Sequence, residues 1–223
     1  MKNFLPILAL VAALATCGTA YGQYIFLDVN GDGVSSKTNP HLPDDVLGPS
    51  VTSVDIYLDT DHNKDGSVAV CPTGEPLSIN SYEAVLHVSG NGTVTYGTWT
   101  DNMGFTTNLT CGGAPTCAAG PDIWIGKGSG TILPPNKYKL GTLAITVTGS
   151  PVLDIINSSP TLSSVSETAF GSSCPGAVFD NTMRLGTDFF DANGTEASTP
   201  VTATTWGKIK AMFFLWRQSI YVR

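Results

Sequence analysis

Charge is what this chain has least of. Only 13% of its 223 residues are Asp, Glu, Lys or Arg, roughly half the share usual in soluble domains. That scarcity excludes a highly charged disordered chain and a long charge-laced coiled coil. Basic residues are the scarcer sign, 11 Lys+Arg against 18 Asp+Glu for a net charge of −7, which argues against a nucleic-acid-binding surface. Histidine occurs three times, at His41, His62 and His87, each far from the others. With no Cys-x-x-Cys pair and no His near a cysteine, zinc has no ligand set. The signatures G-x-S-x-G, H-E-x-x-H and the phosphate loop are absent. Residues 126–131 (GKGSGT) have the phosphate loop's composition without its spacing and read as a surface turn. Helical stripes are missing before Trp206.

What charge there is lies unevenly. Between Gln23 and Thr205 stand all eighteen acids and six basic residues, whereas residues 206–223 hold four basic residues and no acid. Residues 1–22 read as a secretory signal peptide: Lys2 supplies the positive start, residues 4–15 (FLPILALVAALA) the apolar run, and Ala20-Tyr21-Gly22 the small-residue cleavage site before Gln23. Twelve apolar residues are too few to span a bilayer. Leu14-Ala15-Thr16-Cys17 is similar to a lipoprotein box, with Thr16 where a smaller residue is usual. The destination is therefore secretion or the cell surface, with lipid anchoring at Cys17 the lesser alternative.

Beyond Cys17 four cysteines remain, Cys71, Cys111, Cys117 and Cys174. An even count in an exported chain predicts two disulfides, with three connectivities open. The short spacing favours Cys111 with Cys117 as a loop staple, which leaves Cys71 with Cys174 as a long-range clamp.

Residues 23–196 have the length of one domain and an all-β texture. Residues 54–59 alternate apolar and polar positions. So do residues 82–88, with Ala84, Leu86 and Val88 on one face, and residues 93–99, with Val94 and Tyr96 together. Between the last two runs, Asn91-Gly92 predicts a tight hairpin. Leu143, Ile145 and Val147 share a face within residues 138–148, and shorter strands are expected over 24–28, 105–109, 122–125 and 152–156. Short strands at this spacing predict an Ig-like or jelly-roll β-sandwich. Residues 197–205 (ASTPVTATT) read as a linker. In 206–223, Trp206, Ile209, Phe213, Trp216 and Ile220 recur at helical spacing beside Lys208, Lys210 and Arg217, the pattern of a short basic amphipathic helix. Such a tail would dock on the body or touch an anionic membrane peripherally.

The acids concentrate in short Asp/Asn/Gly clusters. Asp28-Val29-Asn30-Gly31-Asp32-Gly33 and Asp61-His62-Asn63-Lys64-Asp65-Gly66 both read D-x-N-x-D-G, and Asp59 precedes the second. Alternate oxygens on a sharply turning loop suit calcium, a hard cation that takes six to eight oxygen ligands. The acid that completes an EF-hand at position twelve is missing, since Asn39 and Pro72 stand there. The remaining ligands would come from Asp44, Asp45 or the cluster containing Asp188, Asp191, Asn193 and Glu196. Calcium is the one cofactor expected, on Asp28, Asn30, Asp32, Asp59, Asp61, Asn63, Asp65, Asp191 and Asn193. Without a metal, the same residues are ordinary turn formers.

Other chemistry is thinly supported. Asp55 and Glu83 are carboxylates of the type that paired glycoside hydrolases use, though strand-surface acids are usually only solvated. Trp99 and Trp124 are candidate stacking platforms for a glycan, against the commoner fate of a β-sheet Trp in the core.

A family resemblance gives these features a frame. Residues 51–59 (VTSVDIYLD), 81–99 (SYEAVLHVSGNGTVTYGTW) and 138–149 (YKLGTLAITVTG) resemble a bacterial cohesin-type β-sandwich, with Tyr82, Gly141, Leu143 and Val147 at the matching positions. Residues 28–34 (DVNGDGV) resemble the calcium loop of dockerins, present as half of the usual duplicated unit. The two acidic loops and the four cysteines fall outside the ordinary cohesin pattern. The resemblance implies non-catalytic recognition of an extracellular protein through one sheet face. A carbohydrate-binding module is the alternative, and a glycoside hydrolase a more remote one.

Overall fold

The computed structural model describes residues 23–35, 45–63, 66–71, 73–159, 161–172, 174, 182–184, 189–190 and 192. The expected leader over 1–22, the expected linker over 197–205 and the expected amphipathic helix over 206–223 lie outside these residues. Among the described residues ten strands follow in order: β1 (Tyr24–Asp28), β2 (Ser53–Asp59), β3 (Ile79–Asp101), β4 (Thr107–Asn108), β5 (Thr116–Ala119), β6 (Asp122–Leu133), β7 (Lys137–Ile156), β8 (Ala169–Gly171), β9 (Thr182–Arg184) and β10 (Phe189–Phe190). The only helical turn among the described residues is a short 3-10 segment at Cys111–Gly113. The described residues are all-β, as the alternating runs predict, and mostly antiparallel. Among the described residues the one parallel pairing joins β1 to β10.

The expected Asn91-Gly92 hairpin does not form. β3 runs unbroken from Ile79 to Asp101 and pairs with β7 through the whole region, with Asn91 opposite Ser150 and Gly92 opposite Gly149. β7 likewise merges the two strands expected over 138–148 and 152–156. The glycines serve a bend in a paired ribbon. Gly90 and Gly149 have φ of 77° and 71°, and a Cβ on Gly92 would lie 2.2 Å from the Thr148 carbonyl oxygen. A tight turn needs the chain to reverse onto itself. Here β7 already supplies the partner, so the same residue types let two strands curve together.

The bend divides the pairing. Beyond it, β3 joins β7, then β2, then β1; before it, β3 joins β6 on one edge and β7 and β8 on the other. Residues from both regions meet in one core: Ile25, Leu27, Ile56 and Leu58 with Leu86, Ile123, Ile125, Leu153, Ile155 and Phe170. Leu143, Ile145 and Val147 all point into it, as the alternation predicts. The turn over 134–136 connects β6 to β7. Residues 126–131, expected as a surface turn, lie inside β6, where Gly126 and Gly128 pair with Glu83 and Ser81. Both glycines pack against Leu109, so this run is glycine-rich for close approach between strands.

Both disulfides have the favoured connectivity, Cys71–Cys174 and Cys111–Cys117, with Cα separations of 5.5 and 5.7 Å. The first joins the segment after β2 to the segment after β8, and both its cysteines are buried.

Candidate metal centre

β1 is buried on both faces. Ile25 and Leu27 enter the main core, while Tyr24 and Phe26 point the other way and stack in a row with Tyr57, at ring-centroid distances of 5.9 and 5.0 Å. The first acidic loop, immediately after β1, helps cover that row. Its Gly33 backs onto the Tyr57 ring, so closely that a Cβ there would sit 3.4 Å from the Tyr57 oxygen. Lys137 on β7 fastens the loop by donating from Nζ to the Gly33 carbonyl at 2.8 Å.

Within the loop each acid turns toward its own backbone. The Asp28 carboxylate, 1% exposed, accepts the Gly31 N–H at 2.6 Å and the Gly33 N–H at 2.7 Å through different oxygens. Asn30 Oδ1 accepts the Asp32 N–H at 2.9 Å, and Asp32 Oδ1 accepts the Val34 N–H at 2.7 Å. Gly31 and Gly33 have φ of 79° and 68°, the left-handed values that this tight winding requires.

Asp45 completes the group from outside the loop. It is fully buried, and its Oδ1 accepts the Val29 N–H at 2.6 Å, with a longer contact to the Asn30 N–H at 3.4 Å. Burial pushes its carboxyl above the usual range, and the charges of Asp28 and Asp32 push the same way, against the two backbone N–H bonds. Three acids and one amide thus share a small region around residues 28–34. Among the described residues no cluster of three or more His, Cys, Asp or Glu side chains stands in metal-ligand geometry.

The second loop is elsewhere. Tyr24 pairs with Asp59 and Asp28 with Asp55, so Asp59 and Asp28 sit at opposite ends of the β1–β2 pair, about 13 Å apart by strand rise. Asp59 is absorbed by the fold: Oδ1 accepts the N–H groups of Asp61 and His62, and Oδ2 accepts the Tyr24 hydroxyl at 3.1 Å. Burial, then the Asp59 charge, pushes the Tyr24 hydroxyl well above its usual range. His62 Nδ1 lies 3.5 Å from Asp61 and 3.8 Å from Asp59. Asn63 donates to the Ser67 hydroxyl at 2.7 Å, and the Ala69 N–H closes the loop onto the Asp61 carbonyl. Asp65, Asp191 and Asn193 lie outside the described residues, as does Asp44.

The other candidates are dispersed. Asp55 is held by Lys139 Nζ and the Thr142 hydroxyl, each at 2.6 Å. Glu83 accepts the Trp124 indole N–H at 2.9 Å. The two carboxylates therefore have separate partners, as the commoner reading of strand acids has it, and no shared site. Burial pushes the Glu83 carboxyl up to about 7, with the Glu167 charge adding to it and the Trp124 bond opposing. Neither tryptophan is an open platform. Trp99 is 7% and Trp124 4% exposed. The Trp99 ring lies over Gly141, where a Cβ would come within 2.4 Å of it. Trp124 lies opposite Val85 on one side and disulfide-bonded Cys117 on the other.

Sequence reasoning missed two polar groups. Lys137 is 104 residues from the Gly33 carbonyl it binds, and nothing in its surroundings marks it. Asp122 accepts bonds from Ser159 and Thr161, and lies 2.6 Å from His87 Nδ1. This ties the segment after β7 across β6 and β3. Burial favours a raised carboxyl there, but the hydroxyls and His87 outweigh it and hold Asp122 below its ordinary value. The chain matches no family model, no curated protein and no solved structure.

Proposed function

We propose that this chain is an exported, non-catalytic recognition module: a cohesin-like two-layer β-sandwich, stabilised by calcium at the Asp28 loop, that binds another extracellular or cell-surface macromolecule. The observation that carries the calcium reading is the position of Asp45. A fully buried carboxylate lies within electrostatic reach of a second buried carboxylate, Asp28, with the exposed Asp32 on the same short loop. Like charges gathered out of water favour a cation that offsets their repulsion, beyond what the backbone N–H bonds to Asp28 and Asp45 supply. Calcium compensates all three at once, and Asn30 Oδ1 and the Val34 carbonyl are further oxygens of the right type. The bent β3–β7 ribbon, whose two regions enclose one core, supports the sandwich reading. The leader over 1–22 and the two disulfides support export. The basic stripe over 206–223 would add a peripheral contact with an anionic surface.

Chelation should lower the melting temperature, and readded calcium should restore it. At free calcium about a hundredfold above Kd the gain is roughly 2.7 kcal/mol. An unchanged melt, with no calcium found by elemental analysis, would remove calcium from the proposal.

A second reading, a glycan-binding module, is favoured by a different feature. A groove of about 630 Å³ is lined by Asn157, Ser158, Ser164, Val165, Ser166, Glu167 and Thr168. Hydroxyls, an amide and a carboxylate are the groups that recognise a sugar's hydroxyls. Binding on a glycan array that Glu167→Ala abolishes would decide for this reading, and a silent array would decide against it.

A further inference from the structure

The outermost stretch of β3 carries an inference that needs neither calcium nor the groove. From Thr93 to Asp101, β3 pairs with β7 along one edge, and among the described residues no strand pairs along its other edge. Nine residues of strand present about 30 Å of backbone N–H and C=O groups. Proteins normally protect such an edge with lysine, proline, inward charges or a covering segment. This one, TVTYGTWTD, has no lysine, arginine, glutamate or proline, and its only ionisable acid is the last residue. Among the described residues its protecting devices are the bulge between Tyr96 and Trp99 and the inward-turned Asp101 carboxylate at its very end. By contrast, β10 lines part of β1 at the other end of the strand order.

The side chains beside this edge also suit pairing. Val94 and Trp99 point into the core, whereas Thr93, Thr95, Thr98 and Thr100 are exposed. Thr146 and Thr148 on β7 extend the same uncharged surface, and a Thr pair is already made across it, Thr93 to Thr148 at 2.7 Å between hydroxyls. Threonine, valine and aromatic residues are the strand formers.

We propose that this edge pairs antiparallel with the same edge of a second copy of the chain, giving a two-fold dimer with a sheet continuous across the interface. The occupant follows from charge and order. The chain carries a net −7, so two copies repel wherever acids face each other. From Thr93 to Thr100 there is no charge to bring together. The second copy also offers an edge already extended, so pairing costs little conformational entropy. A two-fold axis places the Thr-rich faces side by side, repeating the pairing made within one protomer.

The test is the mass of the full chain in solution from micromolar to several hundred micromolar, by light scattering and sedimentation equilibrium. Wild type should move to twice the protomer mass as concentration rises. Thr95→Lys with Thr98→Lys should keep the protomer mass throughout, with an unchanged melt and circular dichroism spectrum. Amide exchange over residues 93–101 should slow with concentration in wild type alone. A wild-type chain that stays monomeric over the whole range overturns the proposal. So does a dimer that survives in the folded lysine variant, or one that forms without protecting residues 93–101.

Discussion

Glu83 titrates in a window that makes its environment measurable. Folded, it keeps its proton to about pH 7, whereas its ordinary value is 4.5. Between those values the folded chain binds more protons than the unfolded one. The group therefore favours folding at acid pH, and that contribution is lost as pH rises toward 7. Glu83→Gln retains an oxygen acceptor for the Trp124 indole and cannot ionise. Its melting temperature should equal that of wild type below about pH 4.5, exceed it increasingly toward pH 7, and hold a constant excess above that. A difference independent of pH would show that Glu83 is not desolvated as described. Asp28 makes a different case, since its two oxygens each hold a backbone N–H of the loop. Asp28→Ala should cost about 2–4 kcal/mol in urea unfolding, from bonds to a charged acceptor, and should abolish any calcium-dependent shift. A variant as stable as wild type and still responsive to calcium would contradict both roles. Asp28 was legible as a loop acid from its spacing alone. Asp45 was legible only as one of several acids, because its value depends on burial, which no local pattern encodes.

Among the elements, the β3–β7 ribbon sets the architecture. Its bend depends on positions where a side chain has no room: a Cβ on Gly92 would meet the Thr148 oxygen at 2.2 Å and Pro151 at 2.8 Å. Gly92→Ala should therefore destabilise by about 1–3 kcal/mol, the usual cost of overpacking, measured by denaturant unfolding; a neutral effect would mean that the bend tolerates a side chain. The individual strands were readable by their period-two alternation. Their union was not. Asn-Gly is compatible with a hairpin and with a bend, and the choice falls to whichever partner strand is present. Residues 126–131 make the same point. Glycines that look like a turn in isolation are strand residues here, because Leu109 crowds them.

For the whole molecule, the two disulfides should contribute unequally. Cys71–Cys174 closes a separation of 103 residues and Cys111–Cys117 one of 6. In the chain-entropy account these correspond to about 4.7 and roughly 2 kcal/mol. The double variant Cys71→Ala with Cys174→Ala should lose about twice the stability that Cys111→Ala with Cys117→Ala loses, in paired urea titrations. Equal losses would indicate that native contacts, rather than loop closure, dominate. The net charge of the molecule belongs at this scale too. The acidic excess lies between Gln23 and Thr205, and part of it is gathered at one end of β1. Bound calcium would make the body less acidic without any change in composition.

The amino-acid sequence by itself determined what depends on neighbours along the chain: the β class through alternation, the tight loops through Asp, Asn and Gly, and the favoured cysteine pairs through count and spacing. Only the tertiary structure decided what depends on neighbours across it. It placed Trp99 over Gly141 and Trp124 against Glu83, removing both from the surface. It sent Asn91-Gly92 into a bend, separated the two acidic loops to opposite ends of β1, and brought Asp45 to Asp28. The physical reason is common to all of these. Backbone conformation is set largely within a few residues, whereas burial, the cost of a charge and the identity of a hydrogen-bond partner are set by segments that can lie a hundred residues away.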